Sequence, residues 1–181
     1  MKVFGLAGWS GSGKTTLMTG LLRELTGRGL RVSTIKHAHH DFDIDYPGKD
    51  SHRHRQAGAC EVMVASSRRW ALIHELREED EPSRDALLAH LAPVDLVLIE
   101  GFKAGAHDKL EVRDPDGKRP ALAPSDPHIV AVAGARGDSD PGLPRFSRDD
   151  VSGIADFIVD HCRLGPAHER PERGRYEHGT A

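Results

Sequence analysis

The chain has 181 residues, a formal net charge of −3 and 29% charged residues. A chain of this length buries about 70% of its unfolded surface and can form a substantial core. Its mixed, slightly acidic charge indicates neither nucleic-acid nor membrane-surface binding, and no apolar run approaches the roughly 20 residues that span a bilayer. The two cysteines are far apart in the sequence and form no C-x-x-C pattern, and the N-terminus has no signal-peptide pattern. We therefore expect a reduced, cytoplasmic protein.

The first predicted elements are a strand, a loop and a helix. Residues 3–7 are short and apolar, as in a buried strand, and leucines at 17, 21, 22 and 25 have helical spacing. Between them the chain matches G-x-x-x-x-G-K-[ST], the phosphate-loop pattern, at every fixed position. The matching residues are Gly8, Trp9, Ser10, Gly11, Ser12, Gly13, Lys14 and Thr15.

This loop predicts a nucleotide site. Its glycines allow positive φ, so successive N–H groups can form a concave anion site at the positive end of the helix. Lys14 is then expected to reach the β- and γ-phosphates, and the Thr15 hydroxyl to be one ligand of Mg²⁺. The alternative is a glycine-rich turn before an ordinary helix, but the strand-to-helix setting supports the phosphate loop independently.

The next strand, predicted over residues 30–36, leads into a loop rich in histidine and aspartate. Parallel strands direct their carboxyl ends to one edge of a sheet, so we expect this loop beside the phosphate site. It lacks the i, i+4 histidine spacing of H-E-x-x-H and contains no cysteine, which disfavours zinc. One of the aspartates is a candidate to contact Mg²⁺ indirectly, through water or another ligand, the alternative being that Asp43 and Asp45 are merely solvated. Asp41, Asp43 and His39 are the candidates to orient water.

A short helix is predicted to start at Asp50 or Ser51 and to carry His52 to Arg55, whose charges face phosphate, a partner or water. Residues 61–65 and 70–74 then predict a β-hairpin, which would make the sheet mixed. We interpret Trp70 as a core or interface residue rather than a ligand contact. A helix follows, with Pro82 and Ser83 near its start.

Residues 94–99 predict a central parallel strand that ends at Glu100. An acid at this position supports Mg²⁺ in phosphate-loop proteins, so Glu100 is a candidate metal ligand, the alternative being a strand-terminal charge in solvent. Strands are also predicted over 110–113 and 129–133, and a last helix from Ser147 or Asp149. Residues 1–162 are thus predicted to form a nucleotide-binding domain, and the polar residues 163–181 a disordered tail.

Several longer motifs resemble the molybdopterin-guanine dinucleotide biosynthesis adapter family. They are the loop Ala7 to Thr16, the K-H-x-H-H-x-F-D-x-D run from Lys36 to Asp45 with Pro47 to Ser51, Arg55 to Ala59, Arg69 to Leu72, and Val97 to Lys103 containing E-G-F-K. The phosphate loop is generic, whereas the K-H-x-H-H-x-F-D-x-D and E-G-F-K signatures in this order are much more specific. The resemblance covers residues 3–162.

The resemblance implies an α/β phosphate-loop NTPase fold, with a mostly parallel mixed sheet flanked by helices and an inserted hairpin. It implies a homodimeric GTP-binding adapter with at most weak GTPase activity, which assists the guanylyltransferase that attaches GMP to molybdopterin. Residues Gly11 to Thr16 would hold phosphate, and Thr15 and Glu100 would serve Mg²⁺. Lys14, Asp41 and Glu100 are then the candidate catalytic residues.

Two other functions compete with this one. A small-molecule kinase would use arginines over the transferred phosphate, which Arg68, Arg69, Arg53 and Arg55 can supply. A nucleotide-gated metal chaperone would use the loop from His37 to Asp45.

Overall fold

The structure is a computed structural model that describes residues 1–38, 42–102, 105–114, 116–134 and 142–165. The chain divides into two compact units, one formed by Met1–His37 with Leu91–Ala181 and the other by Ala38–His90. The tail predicted to be disordered covers residues 163–181, and residues 166–181 lie outside the described residues.

The first unit contains a six-stranded sheet in which every neighbouring pair is parallel. The spatial order is β2-β5-β1-β6-β7-β8. The strands are β1 (Lys2–Ala7), β2 (Val32–Lys36), β5 (Leu96–Glu100), β6 (Lys109–Val112), β7 (Ile129–Ala133) and β8 (Arg145–Phe146). Strands β1 and β5 are buried nearly throughout, which explains their continuous apolar sequences.

Two helices of this unit cover the sheet, α1 (Lys14–Gly27) and α4 (Val151–His161). Leu17, Leu21 and Leu25 of α1 are buried in a core that also includes Ile154 and Ile158 of α4. The helical spacing of these residues places them on one stripe, as the sequence predicts. Helix α4 starts later than predicted, because the side chain of Asp150 accepts a hydrogen bond from the Gly153 N–H and caps it.

The second unit contains an antiparallel hairpin with the predicted bounds, β3 (Glu61–Ala65) and β4 (Trp70–His74). The two strands form a sheet of their own and do not join the main sheet in the described residues, so the antiparallel pairing is separate from the parallel one. The unit also contains α2 (Asp50–Gln56) and α3 (Arg84–Ala89). Ser83 caps α3 by accepting from the Ala86 N–H, whereas α2 has no side-chain cap.

No described helix is both long and apolar enough to cross a membrane.

Candidate functional site

The phosphate loop leaves the carboxyl end of β1 and enters α1. Gly8, Gly11 and Gly13 all have positive φ, at 150°, 81° and 95°. Gly13 is the residue immediately before the first turn of α1, whose early N–H groups therefore face the loop. A Cβ at Gly8 would lie 2.4 Å from the carbonyl oxygen of Val112, so the loop passes directly against the neighbouring strand β6.

This packing predicts different stability losses at two glycines of the loop. Gly8→Ala adds a methyl that meets the backbone of Val112, whereas the same methyl at Gly11 meets no atom within 4 Å. We expect Gly11→Ala to lower the free energy of unfolding by about 1–2 kcal/mol, because alanine is strained at positive φ. Gly8→Ala should lower it by at least about 2 kcal/mol more, because the backbone must also move to make room for the methyl. Urea unfolding without nucleotide measures both variants. Equal losses would contradict the close approach at Gly8.

Lys14 points back over the loop that precedes it. Its ammonium donates a hydrogen bond of 2.8 Å to the carbonyl oxygen of Trp9. The Trp9 indole N–H in turn donates to the carbonyl oxygen of Pro120 at 2.8 Å, and the Arg119 guanidinium lies 5.6 Å from the centre of the Trp9 ring. The segment after β6 is therefore docked against the first variable residue of the loop.

Thr15 and Glu100 are brought together by the register of the sheet. Leu6 of β1 lies opposite Glu100 of β5, so both strands end at the same edge. The Thr15 hydroxyl donates a hydrogen bond of 2.9 Å to Oε1 of Glu100. A hydroxyl and a carboxylate side by side at the mouth of a phosphate loop are hard oxygen donors, which fit Mg²⁺.

Two signature motifs meet beside Glu100. The His37 N–H donates to the Glu100 carbonyl oxygen at 2.8 Å, and the His37 ring stacks on Phe102 with 4.3 Å between ring centres. Gly101 has φ of 102°, and a Cβ there would lie 2.8 Å from the Cβ of His37. Phe102 also has positive φ, at 48°. A strained turn thus fixes the backbone next to the predicted metal ligand.

The histidine-aspartate loop is described only in part, and its described aspartates bind an arginine. Asp41 lies outside them, as do His39 and His40. Within the second unit, Arg55 donates to Asp43 at 2.8 Å, to Asp45, and to Glu75 at 2.6 Å. The hydrogen bond from Arg55 lowers the pKa of the Asp45 carboxyl. Asp43 and Asp45 are therefore neither simply solvated nor free of protein partners, and Arg55 is held by carboxylates.

The remaining residues of the predicted phosphate loop differ in their exposure. Ser12 is buried, and Gly13, Lys14 and Trp9 are partly buried. Ser10, Gly11, Thr15 and Thr16 are exposed.

Sequence reasoning missed Arg148, which follows β8. Its guanidinium Nη1 donates to the carbonyl oxygen of Ser12 at 3.4 Å. No local pattern marks this contact, because the two residues are 136 positions apart and β8 spans only two residues.

Comparison with known proteins decides the family of this chain. The sequence profile of the family described as molybdopterin guanine dinucleotide synthesis protein B, or MobB, matches residues 3–135. The chain belongs to the MobB family. The family resemblance drawn from the sequence motifs is confirmed.

Individual relatives of MobB type agree with this assignment. The chain is 44% identical over 161 residues to the molybdopterin-guanine dinucleotide biosynthesis adapter protein of Escherichia coli (strain K12), covering 85% of this chain and 89% of the relative. It is 40% identical over 131 residues to the adapter protein of Haemophilus influenzae, covering 72% of this chain and 73% of the relative.

A solved structure extends the MobB likeness to three dimensions. The crystal structure of molybdopterin-guanine biosynthesis protein B matches with a TM-score of 0.70 at 33% identity, covering 89% of this chain and 99% of that one. The parallel sheet flanked by helices, the separate hairpin and the MobB structural neighbour together confirm the predicted phosphate-loop NTPase fold.

Proposed function

We propose that this chain is a GTP-binding adapter, with slow GTPase activity, that assists the guanylylation of molybdopterin. The observation that carries the proposal is the Thr15–Glu100 hydrogen bond of 2.9 Å at the mouth of a phosphate loop, in a member of the MobB family. The similar E. coli and H. influenzae proteins are named as adapters in molybdopterin-guanine dinucleotide biosynthesis. A guanine dinucleotide requires a guanine nucleotide as donor, which makes GTP the proposed ligand.

Hydrolysis at this site would depend mainly on positioning and charge neutralisation. Phosphoryl transfer passes through a loose transition state whose charge is spread over the transferred oxygens. The N–H groups of residues Gly11 to Thr16 and the Lys14 ammonium would hold the β- and γ-phosphates. Thr15 and Glu100 would hold Mg²⁺, which neutralises charge on those phosphates when bound. Asp41 remains one of the residues predicted to orient water.

The described residues bear only in part on the two competing functions, since three residues of the loop that a metal chaperone would use lie outside them. A kinase would need arginines available to an acceptor site. Of the four arginines considered above, Arg55 already binds three carboxylates, whereas the other three are exposed. A metal chaperone would need a cluster of ligands. The described part of the chain contains no group of three or more histidine, cysteine, aspartate or glutamate side chains placed to bind a metal ion.

Calorimetric titration with GTP and ATP, each with Mg²⁺, tests the proposed ligand. We expect GTP to bind at least about tenfold more tightly than ATP, because a site that hydrogen-bonds one base leaves polar groups unpaired with the other. Repeating the titration with the guanylyltransferase tests the adapter role. Equal affinities would contradict the choice of GTP. Phosphate transfer to an added acceptor would instead indicate a kinase, and retained zinc or nickel a chaperone.

We also propose that the chain forms a homodimer through its hairpin. Among the described residues neither β3 nor β4 pairs with a third strand, so the outer edges of this small sheet present hydrogen-bonding groups. Met63 and Leu72 form a cross-strand pair with 63% and 36% exposure, and Trp70 on the same face is 56% exposed. The side chain of Trp70 is therefore not buried in the core of its own unit and suits an interface.

A charge on this face should weaken the dimer. Met63→Lys places an ammonium beside Leu72, where burial against a second copy would require its desolvation. Ser67→Lys is the matched control, since it adds the same charge in the exposed loop of the same hairpin. Sedimentation equilibrium should show a dissociation constant at least about tenfold higher for Met63→Lys only. A wild-type monomer at all concentrations, or equal effects of both variants, would contradict this interface.

A further inference from the structure

We infer that Arg148 contacts the nucleoside part of the bound nucleotide, where its guanidinium stacks against the base. The inference rests on the proposed nucleotide-binding function and adds a residue that no sequence motif identified. Arg148 Nη1 donates a hydrogen bond of 3.4 Å to the carbonyl oxygen of Ser12 in the phosphate loop. The same nitrogen lies 3.7 Å from the position of a Cβ on Gly13, immediately before α1.

The sheet order indicates the direction in which a nucleotide must lie. Strand β5, which ends at Glu100, is on one side of β1, and β6, β7 and β8 are on the other. When bound, Mg²⁺ would neutralise charge on the β- and γ-phosphates of the nucleotide. Since Thr15 and Glu100 are the candidate ligands, these two phosphates belong on the β5 side. The α-phosphate, ribose and base must then leave toward the β6–β8 side of the loop.

One flank of the loop on that side is already covered by protein. Trp9 donates to the carbonyl oxygen of Pro120, and Arg119 lies over its ring. The buried Glu111 carboxylate fixes the same segment by accepting the N–H groups of Leu122 at 2.7 Å and Ala123 at 3.1 Å. The nucleoside is therefore placed at the other flank, formed by Ser12 and Gly13, which Arg148 contacts.

The chemistry of arginine suits this position. A guanidinium is planar and permanently charged, and it stacks on aromatic rings through cation–π attraction. The hydrogen bond to the Ser12 carbonyl oxygen keeps one edge of the Arg148 guanidinium beside the loop before the base arrives. The partial burial of Arg148 strengthens the attraction by excluding water.

Comparing two ligands separates contact with the base from contact with phosphate. Affinities for GTP and for inorganic tripolyphosphate, both with Mg²⁺, would be measured for the wild type, Arg148→Ala and Arg148→Lys. Arg23→Ala is the control, since it removes the same charge from the exposed face of α1. Circular dichroism and thermal melting check that every variant folds.

We expect Arg148→Ala to lower GTP affinity about tenfold while tripolyphosphate affinity changes less than about twofold. Arg148→Lys keeps the positive charge but lacks the planar guanidinium that stacks on the base. Its GTP affinity should therefore lie between those of Arg148→Ala and the wild type. Equal losses for both ligands, or an unchanged GTP affinity, would overturn the inference. A wild type that binds neither ligand would overturn the proposed function as well, so the two failures are distinguishable.

Discussion

Replacing Lys14 by alanine should lower the affinity for GTP by about 10- to 100-fold, because hydrogen bonds to charged groups are worth about 1.5–3 kcal/mol. The Lys14 ammonium lies 2.8 Å from the carbonyl oxygen of Trp9, so it is already held over the loop. The variant removes this charge and leaves the glycines of the loop unchanged. We expect the protein to fold, with a stability loss of at most about 1.5–3 kcal/mol for the hydrogen bond from the charged ammonium to Trp9.

The matched control for this prediction is Lys2→Ala. Lys2 is exposed at the first position of β1, whereas Lys14 follows the loop at the opposite end of that strand. Both variants change the net charge equally, and any loss confined to Lys14→Ala is therefore local. Calorimetry with GTP gives the affinities, and urea unfolding gives the stabilities. If a folded Lys14→Ala variant bound GTP with wild-type affinity, the phosphate-loop assignment would be contradicted.

The sequence predicts those parts of the site that depend on short-range pattern. The phosphate loop is contiguous, and its glycines, Lys14 and Thr15 follow from one motif. Glu100 follows from a buried strand that ends in an acid, and the parallel register then brings it to Thr15. The hairpin bounds were also predictable, because two alternating runs flank a short polar loop.

Other parts depend on tertiary contacts that no local pattern contains. Strand β8 has only two residues, too few for a periodicity, and it positions Arg148 beside Ser12. Arg55 is one of several charges that a sequence leaves open as solvated, yet its carboxylate partners lie 10, 12 and 20 positions away. Pairing at such separations follows from the fold of the second unit, which composition does not specify.

The sequence predicts the close backbone approach at Gly101 but not the backbone conformation of Phe102. A glycine after Glu100 indicates close backbone approach, and the atoms it approaches are those of His37 at the end of β2. The positive φ of Phe102 has no sequence signal, since phenylalanine seldom adopts it. Its ring stacks on His37, which compensates for the backbone strain.

Replacing Glu100 by glutamine should raise the Mg²⁺ concentration needed for half-maximal GTPase activity. The amide keeps the size of the side chain and an oxygen that can accept from Thr15, but it removes the negative charge. Loss of a group that holds or supports a metal ligand costs roughly 10- to 100-fold in metal affinity. We therefore expect the Mg²⁺ midpoint to rise by that factor, while nucleotide binding without metal changes little.

The control is Glu78→Gln, which makes the same change at an exposed position of the second unit. GTP hydrolysis measured over a series of Mg²⁺ concentrations separates three roles for Glu100. A raised midpoint with a recoverable rate supports metal binding, because excess Mg²⁺ then refills the weakened site. An unshifted midpoint with a lower saturated rate would contradict this role and place Glu100 at the attacking water. If neither quantity changed, the carboxylate would be only a charge at the end of a strand.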